Sequence, residues 1–190
     1  DGQLYATGFQ IWGTTVKRIS GLGRIRYTCK PRVLLQECTP CDKGVLLRFN
    51  LPLDKSAAVN PDNYNVERWN YKRTFNYGSP HLKSDGTPGQ EWMVPSSAYL
   101  SKDGTSVFIG LPDMKTTYMQ MRVGYGLKGA EGLPAQNNAY FTPHELTKFD
   151  PEKEGFEALS VDLTPRKLVA TAQVKPTLDE GKRLYEMMGC

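Results

Sequence analysis

Lys102-Asp103-Gly104-Thr105-Ser106-Val107-Phe108-Ile109-Gly110-Leu111 is the stretch that decides the fold class. The Lys-Asp-Gly segment supplies a tight hairpin turn, and Val107, Ile109 and Leu111 then alternate in the period of two expected of a strand buried on one side. The run before it, 92–100, reads as the preceding strand. Further out, Val45, Leu47 and Phe49 alternate with Leu46 and Arg48, and Thr117, Met119, Met121 and Val123 share one face while Tyr118, Gln120 and Arg122 share the other. Pro52 and Asp54 open a short turn or helical piece. Asn60-Pro61-Asp62-Asn63 makes a turn before the strand-like run Tyr64-Asn65-Val66-Glu67-Arg68-Trp69. There the apolar phase moves from Tyr64 and Val66 to Trp69 and Tyr71, which a β-bulge near Glu67-Arg68 would produce. Strands joined by turns, with no amphipathic helix between them, predict a mostly β fold, an antiparallel β-sandwich.

Composition agrees with this. The 190 residues (21.3 kDa) are 39% hydrophobic and 23% charged, with 18 Gly and 13 Pro, which suits a packed core rich in turns. No apolar run reaches the length of a membrane span. The formal net charge of +4 is too small to argue for nucleic acid. The bases are denser in residues 1–50, but aromatic residues are not interleaved with them as a nucleic-acid platform requires. With Asp at position 1 and no signal-like segment, the chain is expected to be processed or excised from a longer one.

The cysteines are Cys29, Cys38, Cys41 and Cys190. Cys38-Thr39-Pro40-Cys41 is a C-x-x-C with three readings. A redox site needs its first thiol at a helix N-terminus, whereas Pro40 and a following strand stand here and Glu37 and Asp42 oppose a thiolate. Zinc would draw on Cys29, Cys38 and Cys41 but lacks a closing pair of ligands. A structural disulfide, from Cys29 to Cys38 or Cys41 or within the C-x-x-C, fits a secreted protein best.

Catalytic signatures are missing: there is no G-x-S-x-G, H-E-x-x-H or P-loop, and the two histidines, His81 and His144, sit in loop contexts. Met114, Met119 and Met121 with His81 or His144 imitate a copper set, but Met119 and Met121 lie on the inward face and read as core. No metal and no cofactor is therefore expected in this chain. Trp69, Tyr71, Phe75, Tyr77 and Trp92 cluster around the polar loop 78–90, and Trp69 and Tyr71 are the candidates for stacking on a sugar ring.

The two ends carry a resemblance. Gly181-Lys182-Arg183-Leu184-Tyr185-Glu186-Met187-Met188-Gly189-Cys190 resembles the opening helix of a c-type cytochrome domain, where such a helix runs into C-x-x-C-H. On that likeness Cys190 is the first haem-attaching thiol, and haem c belongs to the longer parent. Asp1-Gly2-Gln3-Leu4-Tyr5-Ala6-Thr7-Gly8-Phe9-Gln10-Ile11-Trp12-Gly13 resembles the closing blade of a sorbosone-dehydrogenase-like β-propeller. The stretch 49–73 is similar to bacterial Ig-like modules. Together the order resembles secreted bacterial proteins in which a propeller, an Ig-like sandwich and a cytochrome c domain follow one another.

The resemblance implies a propeller stub over 1–28, an Ig-like β-sandwich over 29–126, a loop-rich extension over 127–176 packing on the sandwich, and a short C-terminal helix over 177–190. It also implies a secreted or periplasmic location and a non-catalytic role, spacing a propeller dehydrogenase-like module from a cytochrome c. The alternatives are a carbohydrate-binding or adhesive sandwich whose partner is a polysaccharide and, third, a metal- or haem-binding protein.

Overall fold

The computed structural model describes residues 3–9, 20–75 and 77–167. The chain divides into two compact units, Asp1–Pro31 and Arg32–Cys190. The first is an antiparallel hairpin of β1 (Leu4–Phe9) and β2 (Ser20–Ile25), with Leu4 opposite Ile25 and Gly8 opposite Gly21. Ile25-Arg26-Tyr27-Thr28 also reads from sequence as a short strand, but of these only Ile25 is paired, at the end of β2.

The second unit is an Ig-like antiparallel β-sandwich. Its first sheet contains β3 (Leu35–Cys41), β4 (Gly44–Phe49), β7 (Ser97–Leu100) and β8 (Ser106–Gly110), in the order β3-β4-β8-β7. Its second contains β5 (Tyr64–Trp69), β6 (Glu91–Met93), β9 (Gln120–Lys128) and β10 (Pro134–Phe141), in the order β10-β9-β5-β6. The alternation read from sequence holds: Val45, Leu47, Phe49, Val107 and Ile109 from the first sheet meet Tyr64, Val66, Met121, Val123 and Tyr125 from the second. Phe49 and Tyr125 close the gap edge to face, with ring centroids 5.4 Å apart.

The connection between β4 and β5 is built by local capping. Asp54 caps helix α1 (Lys55–Ala58) by accepting from the Ala57 N–H at 2.9 Å, and Asn60 caps a 3-10 turn at Pro61–Asn63. The buried Tyr64 hydroxyl then donates to the Ala58 carbonyl at 2.6 Å, tying this connection to the core.

Three expectations change. The run 92–100 is two strands in different sheets, because Pro95 lacks an N–H and the chain crosses the sandwich between β6 and β7. No bulge interrupts β5, whose register against β9 is continuous from Tyr64 to Trp69. Trp69 is instead an outward residue buried by the loop that follows, with His81 stacked on it at 4.4 Å. Finally, strand β9 runs through the expected boundary at 126/127, and β10 holds the strand that Ala139-Tyr140-Phe141 suggests but begins earlier, at Pro134, in what composition reads as loop. Its Gln136-Asn137-Asn138 has low strand propensity, but it forms an edge strand with water on one face.

The extension supplies a third layer over the outer face of the first sheet. Phe149 and Phe156 pack there on Cys41, Leu46 and Phe108, joined by Leu159 and Val161. The Phe108 and Phe149 rings stack with centroids 3.6 Å apart. Backbone bonds anchor this layer: Asp42 N–H to Thr147 O and Thr147 N–H to Pro40 O, each 3.0 Å. The Ser96 and Ser97 hydroxyls donate to the Asp162 carbonyl at 2.8 and 2.7 Å. Arg48 bridges Glu37 at 3.2 Å and also pairs with Glu154 of the extension. The run 168–174, which reads from sequence as a further strand, and the C-terminal helix with Cys190 lie outside the described residues.

Candidate functional site

Alternation along a strand sends successive side chains to opposite faces, so every residue between the inward apolar positions of the second sheet is committed to its outer face. Reading across the register at one level, that face carries Trp92 on β6, Glu67 on β5, Arg122 on β9 and Tyr140 on β10. Two residues along the strands, the next level carries Asn65, Gly124 and Asn138. Gly126 and Gln136 follow on β9 and β10.

The centre of the first level is an ion pair. Glu67 is only 2% exposed, although it points outward. Its Oε1 lies 2.9 Å from Arg122 Nε and accepts from Gln90 Nε2 at 3.1 Å. The Arg122 Nε–H is off the line to the carboxylate, so this contact is electrostatic rather than a hydrogen bond. The two ends of the level are exposed rings: Trp92 is 60% and Tyr140 59% exposed. Tyr140 is set by Trp69, which meets it edge to face at 6.5 Å. Beside this level, Asn65, Gly124, Gly126, Gln136 and Asn138 line a shallow trough of about 290 Å³.

The aromatic pair singled out in the sequence divides. Trp69 is 9% exposed, pinned between His81 and Tyr140, and its faces are not available to a sugar. Tyr71 is exposed, beside a separate pocket lined by Trp69, Lys72, Arg73 and His81. The better-placed rings, Trp92 and Tyr140, come together only through strand register, which no local pattern reveals. His81 bonds Gln90 at 2.9 Å and His144 lies against Tyr118, so each histidine is occupied in its own loop. Met119 and Met121 are buried in keeping with core filling.

Cys29, Cys38 and Cys41 are free thiols. Cys38 and Cys41 are three positions apart on β3, an odd separation that sends their side chains to opposite faces. Cys38 packs on the sandwich core and Cys41 in the cluster under the extension. A bond within the C-x-x-C is incompatible with that geometry. Burial pushes the Cys38 thiol up to about 12, with Cys41 and Glu37 adding to the effect, and it pushes Cys41 up to about 11 with help from Asp42 and Glu154. These are inert thiols rather than nucleophiles. No group of three or more His, Cys, Asp or Glu arranged to hold a metal occurs among the described residues.

No protein-family model matches the sequence, and no curated protein matches it closely enough to count as a relative. Solved structures of the bacterial S-layer protein SbsC show a distant likeness. One, of a long SbsC chain, is 20% identical with a TM-score of 0.42 and covers 59% of this chain and 14% of that one. Another, of SbsC domains 1-6, is 18% identical with a TM-score of 0.40 and the same coverage. The N-terminal part of SbsC is 20% identical with a TM-score of 0.40, covering 59% of this chain and 24% of that one. The chain therefore spans less than a quarter of these proteins, and so faint a likeness carries no functional argument.

Proposed function

We propose that this chain is a non-catalytic spacing and docking module of a larger secreted or periplasmic redox protein, holding a propeller-type oxidising module against a c-type cytochrome. The observation that carries the reading is the β1–β2 hairpin. Leu4, Ala6, Gly8, Gly21, Gly23 and Ile25 share one of its faces, and Leu4 and Ile25 on it are strongly exposed. A two-stranded ribbon is marginal by itself in water and is stabilised by joining or being covered by more sheet. Among the described residues, a Cβ at Gly8 or Gly21 would meet nothing within 4 Å. A smooth apolar face of this kind suits close packing against another module's sheet.

The sandwich is suited to a geometric role. It has a continuous core, a third layer bonded to it, and serine hydroxyls and histidines already engaged in structural contacts. Rigidity fixes the separation and orientation of whatever docks at its ends. The test is an intact mass with a visible absorption spectrum on the protein purified from its natural source. A mass well above 21.3 kDa with a Soret band is expected. A mass of 21.3 kDa, without a chromophore, overturns the reading.

A further inference from the structure

The outer face of the second sheet differs in chemistry from an apolar docking surface. Its exposed rings, Trp92 and Tyr140, stand at the two ends of one level, with β5 and β9 between them. Three strand spacings separate them, about 14 Å. Alongside, the side-chain amides of Asn65 and Asn138 stand one level, about 7 Å, along the strands and that of Gln136 two levels, about 14 Å. They border a floor left open at Gly126, while over Gly124 the Asn138 amide oxygen lies 2.9 Å from where a Cβ would stand. Among the described residues, no hydrogen bond from the protein engages these three side-chain amides.

We propose that this face binds a neutral polysaccharide lying across the strands, with Trp92 and Tyr140 stacked on sugar rings and the neighbouring amides of Asn65 and Asn138 bonded to sugar hydroxyls. Each primary amide offers both donors and an acceptor, which matches hydroxyls that donate and accept at once. Aromatic faces cover the apolar C–H face of a pyranose. The spacing of the two rings selects an extended chain over a single sugar.

Neutrality follows from the charges. Arg122 is compensated by Glu67 at 2.9 Å, and Asp62 at the trough edge by Arg166 at 2.7 Å. Among the described residues lining the trough no cation is left uncompensated to hold a polyanion, which disfavours nucleic acid and acidic glycans. This inference does not depend on the docking reading and stands or falls separately.

The test is affinity electrophoresis of the full chain through native gels cast with soluble β-glucan, xylan, galactomannan or α-glucan, with a polyanionic glycan in parallel. At least one neutral polymer is expected to retard the protein. Tyr140→Ala should weaken that retention by about tenfold. Gly126→Val provides the fold-neutral variant, because a Cβ there meets nothing within 4 Å and the residue is not among the positive-φ glycines. It should crowd the amide side of the trough and weaken retention at unchanged melting temperature. Tyr71→Ala, outside this face, should bind as the parent does. The proposal is overturned by no retention on any neutral polymer, by retention only on the polyanion, by retention unchanged in both Gly126→Val and Tyr140→Ala, or by its loss in Tyr71→Ala.

Discussion

The outer faces of the two sheets are built from the same alternation yet end in opposite states. On the first sheet the outward residues include Leu46 and Phe108, and Phe149 and Phe156 of the extension bury them in a second core. On the second sheet the outward residues are amides, an ion pair and exposed rings, with Trp69 covered by His81 of the β5–β6 loop and by Tyr140. One glycine on each sheet shows the contrast. A Cβ at Gly110 would strike Ser97 Oγ at 2.3 Å and reach Val161 of the covering segment at 3.1 Å, whereas one at Gly126 meets nothing. The first face is committed to stability, and the second is left for contact with something else.

Four changes probe this contrast. Phe108→Ala removes a fully buried ring from the covered face and should cost about 4 kcal/mol, read by denaturant unfolding. A loss below about 1 kcal/mol would mean the extension contributes little. Gly44→Ala should cost about 3 kcal/mol. Gly44 has φ 151, and its Cβ would lie 1.9 Å from the Ile109 carbonyl oxygen. Tyr140→Ala on the bare face should cost less than about 1 kcal/mol, since only the edge contact with Trp69 is lost; a larger loss would break the contrast.

The smallest effect belongs to Glu91. The Ser84 hydroxyl and backbone N–H, then Arg68, hold its carboxyl at about 2, below its ordinary 4.5. A lowered folded value stabilises above the unfolded value and is lost as pH falls, here from about 4.5 toward 2. Glu91→Gln should flatten the stability loss across that window by under about 1 kcal/mol, after solvent screening. Denaturant midpoints at pH 5 and pH 3 would measure it. An identical pH slope in the variant would remove Glu91 from the account.

Strands buried by simple alternation were legible in the sequence: 45–49, 64–66, 107–111 and 119–123 all place their apolar phase inward. What escaped depended on partners distant in the chain. The apolar shift at Trp69 arises from His81, twelve positions later, rather than from a bulge. Phe149 and Phe156 follow no helical or strand period, because an irregular segment buries them one at a time on the first sheet. The trough was invisible for a similar reason: Asn65, Gly124 and Asn138 become neighbours only once β5, β9 and β10 are in register. Even a correct list of strands leaves their order unknown.

The placement of Cys38 and Cys41 has a kinetic consequence. One strand of seven residues carries two masked thiols, each sealed by a different layer. Pulses of an alkylating reagent during unfolding, followed by peptide mapping, would time the two layers separately within one molecule. Modification of Cys41 ahead of Cys38 would mean the covering segment peels away while the sandwich stays shut. Simultaneous modification would mean that all three layers come apart as one cooperative unit.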